Sequence, residues 1–238
     1  MTIKYKDKPI NALVLDFDGT LYSNEGIEEK IWTDARKKSI QKLIDTSSRV
    51  EIKNMNPENL LEMYIKLGNE IGWENTFVKL GGNAIDFHQV ADKVTKAEFL
   101  KYDEELTNFI REMREIVPVK IFTGSTRETV IDALKVLVGD LWLPLSENLL
   151  ATDDMKTASK PNKVAYEEML SVFGFEPSKT IFVDDQEVDV DVAASLDLIT
   201  FLIQGSKTND GEVKNSGADN PHVMISSVVE LRNHLSLI

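Results

Sequence analysis

Cysteine is absent from the 238 residues, so neither a disulfide framework nor a thiolate metal site is available. Long hydrophobic runs are absent too: every apolar stretch is far short of the roughly 20 residues needed to span a bilayer. No charged-then-apolar segment of the signal-peptide kind opens the chain. Basic residues are scarce, with 27 Lys and Arg against 40 Asp and Glu, and the formal charge of -13 repels phosphate backbones and anionic membrane surfaces. There is no internal repeat and no low-complexity tract. These absences exclude a secreted disulfide scaffold and argue against a membrane or a nucleic acid polymer as partner. The expectation is an intracellular, cytoplasmic protein whose oligomeric state the sequence does not encode legibly.

What is present is enough apolar residue, 42%, for one full core with an insertion. Short apolar runs at 12–17, 119–122, 149–152, 180–183 and 199–202 alternate with helical patterns, which predicts an α/β fold with a parallel sheet. Ser125 with Glu128 reads as a capping box ahead of Val130, Leu134 and Leu137. After Pro161, the residues Tyr166, Met169, Leu170 and Phe173 recur at helical spacing, and Gly174 is a natural stop. Residues 23–100 differ, with helical patterns at 27–44, 57–71 and 73–80, a Gly81-Gly82 break, and almost no strand signal. They read as a helical insertion between the first two strands. Residues 205–221 read as a surface loop, followed by a final helix over 226–235.

Three predicted strands end in polar residues that a strand does not need. The first ends in Asp16-Phe17-Asp18-Gly19-Thr20, the second in Thr123-Gly124-Ser125, and the one at 180–183 in Asp184-Asp185. In an open parallel sheet, ligands bind outside the carboxyl ends of the strands, so all three ends face one crevice. Alternation along extended backbone puts Asp16 and Asp18 on one side and Phe17 on the other, and Gly19 lets the chain turn at once. Carboxylates beside a buried strand call for a cation. An EF-hand loop starting at Asp16 is excluded, because its sixth and twelfth positions would be Leu21 and Ile27. Lys160, ahead of Pro161, brings a fixed positive charge to the same place.

The order DFDGT, IFTGS, SKP and FVDD resembles the four motifs of the haloacid dehalogenase superfamily, and the resemblance covers essentially the whole chain. It implies a Rossmann-like parallel sheet core (1–22 and 101–238) with an inserted α-helical cap of C1 type (23–100). The stretch 85–106 followed by IFTGSTR looks most like phosphatases of the pyrimidine 5′-nucleotidase and phosphoglycolate phosphatase type. Carried over, Asp16 would be the nucleophile that becomes an aspartyl phosphate, and Asp18 the general acid and then base. Thr123, Gly124 and Lys160 would hold the phosphoryl group. Mg2+ would be bound by Asp16, the backbone carbonyl of Asp18, and Asp185, with Asp184 beside it. The substrate would be a small phosphorylated metabolite.

Some positions depart from the pattern. Gln186 follows Asp185 where relatives often carry serine, and Asp197 stands where they commonly have glycine. Asp189, four residues after Asp185, is placed to orient Lys160 or a metal-bound water. A phosphomutase of this fold would use a His twelve residues after the nucleophile, where this chain has Glu28, and a dehalogenase has no use for Asp18. In the insertion, Arg36, Lys37, Lys38 and Lys42 read as a solvated basic face. The turn over residues 79–83 reads as either a substrate-specificity loop or a plain helix connection. Trp32, Trp73 and His88 read as structural. If the insertion acts as a lid, its hinges fall near Ser23-Asn24 and over 95–100.

Overall fold

The computed structural model describes residues 3–23, 33–91, 96–204, 213–214 and 222–237. The chain divides into two compact units, Met1–Ser23 with Leu100–Ile238, and Asn24–Phe99. The first unit opens with a hairpin the sequence pattern did not reveal, β1 (Ile3–Tyr5) and β2 (Lys8–Ile10), whose turn carries Lys6 at φ 53°. Then comes β3 (Ala12–Leu15), shorter than the predicted 12–17, with all four aliphatic residues buried as a central parallel strand requires. Gly19 makes the turn after it at φ 76°.

The second unit is helical in its described part: α1 (Thr33–Thr46), α2 (Val50–Lys53), α3 (Pro57–Ile71), α4 (Trp73–Lys79), α5 (Ala84–Ala91) and a 3-10 turn at Lys96–Glu98. Asn56 caps α3, its side chain accepting from the Glu58 and Asn59 amides, with Pro57 at the first helical position. Ile40, Leu43, Leu60, Tyr64 and Phe77 form its core. Trp73 packs against that core, and Arg36 stacks 4.5 Å from its ring, so one member of the basic run leaves the solvated face. Lys42 pairs with Asp86 at 2.9 Å. Trp32, Glu28, Asn24, Thr95 and the His88 side chain lie outside the described residues.

The glycine turn is a helix connection fixed to its own unit. Ser47 Oγ donates to the Leu80 carbonyl at 2.7 Å, the Ser48 amide to the Gly81 carbonyl at 2.7 Å, and an Arg49 guanidinium nitrogen to the Lys79 carbonyl at 2.9 Å. A Cβ on Gly82 would lie 2.2 Å from the Phe77 ring, which is fully buried. Gly82→Ala is therefore expected to destabilise this unit by roughly 1–3 kcal/mol through overpacking, read as an early transition in thermal melts. An unchanged melt would mean the Phe77 ring yields at no cost.

The chain returns through α6 (Glu104–Arg114), β4 (Val119–Phe122), α7 (Arg127–Leu137), α8 (Trp142–Ser146), β5 (Leu149–Leu150), α9 (Lys163–Phe173), β6 (Thr180–Asp184), α10 (Glu187–Ala194), β7 (Ile199–Ile203), β8 (Val213–Lys214), β9 (His222–Ile225) and β10 (Leu235–Leu237). The main sheet runs β5-β4-β3-β6-β7-β9-β8, parallel except for β8, which pairs antiparallel to β9. β10, β1 and β2 form a separate small antiparallel sheet. After β3 the chain builds outward through β4 and β5, then restarts on the other side of β3 with β6. This reversal is a topological switch point, and a crevice opens at the carboxyl ends of β3 and β6.

The α9 pattern holds as expected: Ala165, Tyr166 and Met169 are buried against Phe122, Phe182 and Val14, and Gly174 closes the helix at φ 70°. Asp197 adopts the left-handed conformation at φ 65°, which explains how it serves where a glycine is common. The predicted final helix is corrected. Residues Val228–His234 form a 3-10 turn, and Leu235–Leu237 leave it to pair with β1. Two strands of the main sheet, β8 and β9, fall in and just after the stretch read as loop; two to four residues carry too little periodicity to signal a strand. Among the described residues, no helix is long and apolar enough to cross a membrane.

Candidate active site

Asp16 follows β3 directly, its amide donating to the Val183 carbonyl at 2.9 Å, so it stays in register with β6. Asp184 is the last residue of β6 and Asp185 the next. Asp16, Asp184 and Asp185 each offer a carboxylate oxygen within 4.8 Å of the others. Among the described residues, one cation meets them, from the loop before α9: Lys160 Nζ donates to Asp16 Oδ1 at 2.7 Å and to Asp184 Oδ2 at 2.6 Å, and stands 3.7 Å from Asp189 Oδ1. Its side chain is 7% exposed. The rings of Phe122 and Phe182 lie 5.4 and 5.5 Å from the ammonium.

One lysine cannot balance these carboxylates. Burial pushes Asp16 up to about 7, against the pull of Lys160 and with help from Asp185 and Asp18. Burial and the neighbouring Asp184 push Asp185 up to about 8, and burial holds Asp184 well above the carboxylate range. For Lys160, burial opposes the charge, but Asp16, Asp184 and Asp189 outweigh it and hold the ammonium protonated well beyond its ordinary range. A buried surplus of hard oxygen donors fits a divalent cation such as Mg2+.

Asp18 has different surroundings. Its carboxylate accepts from the Tyr22 hydroxyl at one oxygen and from the Ser125 hydroxyl at the other. It is not among the three carboxylates of the cluster. Phe17, between the two aspartates, is fully buried and meets the Tyr22 ring edge-on at 5.3 Å. Burial, then Asp18, raises the Tyr22 phenol, which keeps it a donor.

At the end of β4, Thr123 is buried, and its hydroxyl accepts from the Ser125 amide at 3.1 Å. Gly124 is exposed, and a Cβ there would meet nothing within 4 Å, so open space adjoins this turn. The capping-box reading of Ser125 is corrected: α7 begins at Arg127 with Thr126 at its N-cap, and the Ser125 hydroxyl reaches Asp18 instead. Gln186, in place of serine, donates from its amide nitrogen to Asp185 at 2.9 Å and from its backbone to Asp184 at 2.8 Å. Asp189 contacts Lys160 and accepts from the buried Tyr166 hydroxyl.

Three contributors escaped the sequence reading, and Ser125, named among the polar strand-end residues, was also read as a helix cap. Tyr22 had no motif, and Tyr166 was indistinguishable from a core position at helical spacing. Arg127 was read as part of a helix. It ties the turn after β4 to the segment around β5, bonding Asp154 at 3.0 Å and the Ser146 and Leu149 carbonyls at 2.9 and 2.8 Å.

The chain matches the haloacid dehalogenase-like hydrolase family over residues 10–197. No curated protein matches it significantly. Its structure is similar to CbbY from Rhodobacter sphaeroides in complex with phosphate, at TM-score 0.61 and 17% identity over 93% of this chain and 96% of that one. It is also similar to a Thermotoga maritima protein assigned as a beta-phosphoglucomutase, at TM-score 0.54 and 16% identity over 94% and 97%. An L-2-haloacid dehalogenase gives TM-score 0.55 and 15% identity over 94% and 97%. At such identities these structures share the fold. The family match, spanning both motif-bearing halves of the sheet, places the chain among the haloacid dehalogenase-like hydrolases.

Proposed function

We propose that this hydrolase is a Mg2+-dependent phosphatase that cleaves a small phosphomonoester through a phosphorylated Asp16. The observation that carries the reading is the separate placement of Asp18, held by two hydroxyls and standing outside the three-carboxylate cluster. Displacing a halide needs no proton donor, whereas expelling an alcohol from phosphorus does. A second carboxyl kept apart from the cation-binding group has that use.

In this reading an Asp16 oxygen attacks phosphorus as the ester bond breaks, and Asp18 delivers a proton to the departing alcohol oxygen. Water then attacks the same phosphorus, giving its proton to Asp18 as the bond to Asp16 breaks, and phosphate leaves. The Thr123 hydroxyl, the Gly124 amide and Lys160 hold the phosphoryl oxygens. Asp16, Asp185, Asp184 and the backbone carbonyl of Asp18 would hold Mg2+, which when bound neutralises the repulsion between carboxylate and phosphate dianion. The substrate is a nucleoside monophosphate, phosphoglycolate or a sugar phosphate. Support for this class comes from CbbY, solved with phosphate and, as an aspartate-to-asparagine variant, with xylulose-1,5-bisphosphate.

A panel of phosphorylated metabolites, assayed for phosphate release with Mg2+ and again with EDTA, tests the proposal. Release that needs Mg2+ is expected. An isomerised sugar phosphate without free phosphate would make the protein a mutase, and halide release from a haloacid would make it a dehalogenase.

A further inference from the structure

Groups that hold a phosphoryl unit work only if they meet its oxygens together, and a displacement of about 1 Å costs about a hundredfold. Of the three groups given that task, Thr123 and Gly124 lie beyond the last paired residue of β4, and Lys160 lies in the loop between β5 and α9. The sheet does little to relate them, because β5 is two residues long and stands at its edge.

Arg127 supplies the missing relation. Its guanidinium bonds both oxygens of Asp154, and its two terminal nitrogens also reach the Ser146 and Leu149 carbonyls at 2.9 and 2.8 Å. The Arg127 amide donates to Asp153 at 2.9 Å, a cap for α7 that the Thr126 side chain does not give. The Thr152 amide donates to the Ser125 carbonyl at 3.1 Å, and Asp154 also accepts from the Ala151 amide at 2.9 Å. The turn after β4 is thus cross-linked to the start of the loop after β5. Glu168 on α9 fixes that loop further along, accepting from the Lys156 and Thr157 amides at 2.9 and 3.1 Å, just ahead of Lys160.

We propose that Arg127 and Asp154 are positioning residues that lock the Thr123-Gly124 turn to the loop carrying Lys160, so that the three phosphate-holding groups form one preset cradle. The proposal rests on the phosphatase reading of the same site. Both side chains act through the backbone they hold; neither is given a contact with the phosphoryl group.

The test uses Arg127→Lys in the full chain. Inorganic phosphate is titrated by calorimetry in saturating Mg2+, and Mg2+ alone is titrated by thermal shift. Lysine keeps the charge but lacks the planar fork that bonds both Asp154 oxygens and two carbonyls. Phosphate affinity should fall by about tenfold or more. The apparent Mg2+ affinity should stay within about twofold, because Asp16, Asp184 and Asp185 extend from β3 and β6, to which Arg127 makes no bond. A merely structural role would lower the melting temperature and leave the phosphate affinity of the folded protein unchanged, and that result overturns the lock. Equal losses for phosphate and Mg2+ overturn it as well. Should Arg127→Lys fail to fold, Asp154→Asn, which keeps an oxygen for the Ala151 amide, must show the same split, and its absence there overturns the proposal equally. A wild-type protein that binds no phosphate in Mg2+ removes the lock; if it is also inert toward the metabolite panel, the phosphatase reading falls with it.

Discussion

Asp16→Asn is expected to lower phosphate release by about a thousandfold or more and, in EDTA, to raise the melting temperature. The two effects have opposite signs because the same buried charge is the nucleophile and a source of repulsion. Its carboxyl, unfolded, titrates near 3.8, and in the folded chain near 7, with burial as the main cause. Between those values the folded chain holds a proton that the unfolded chain has released. Stability from this group is therefore complete below the unfolded value and is lost as pH rises through about 7. Asp185, lifted to about 8, adds to the same trend. In EDTA the wild type should melt at progressively lower temperature from about pH 5 to about pH 8, and Asp16→Asn should show a shallower decline. Asparagine also keeps an oxygen for the Lys160 ammonium, which retains Asp184 as its other partner. Near-normal turnover in Asp16→Asn would sink the covalent mechanism, and a lower melting temperature in EDTA would show that the carboxylate is a net stabiliser.

Lys160→Met carries the largest expected cost to the fold. The ammonium is bonded to Asp16 and Asp184 and stands near Asp189, all three buried, and methionine supplies similar volume without charge. Removing the cation leaves those carboxylates uncompensated, which typically costs about 3–5 kcal/mol. Lys160 is held protonated beyond its ordinary range, so its own contribution is constant below that range and is lost only at strongly alkaline pH. What varies near neutrality is the carboxylates it leaves behind. The deficit should accordingly shrink as pH falls and they take up protons, and Mg2+ should recover part of it. Urea denaturation at two pH values, with Mg2+ and with EDTA, measures this. A deficit independent of both would mean that lost packing against Phe122 and Phe182 is the whole effect.

The sequence marked the strand-end residues of the candidate site because each lies within or beside a strand end. Asp16, Thr123, Asp184 and Asp185 follow apolar runs long enough to be recognised as strands, and a parallel sheet aligns such ends by rule. It determined the helical insertion for the same reason, since long periodic segments with caps and glycine stops are local features. The strands β1, β2, β8, β9 and β10 were not legible, because they are two to four residues long and exist by pairing with distant partners.

Tertiary structure alone decided which charges meet and what surrounds them. The sequence pointed Lys160 to this site, but only folding puts its Nζ on two carboxylates 144 and 24 residues away. Nothing local separates Asp16 from Asp18, yet one is lodged against buried acids and a lysine, and the other is held by the hydroxyls of Tyr22 and Ser125. The Gly81-Gly82 turn could have been a free loop by composition; packing against Phe77 and the bonds from Ser47, Ser48 and Arg49 make it part of a core. The physical reason is common to all three. Residue type and short-range periodicity fix what a side chain can do, whereas burial and the identity of its neighbours, which set its charge, orientation and freedom, depend on contacts between segments far apart in the chain.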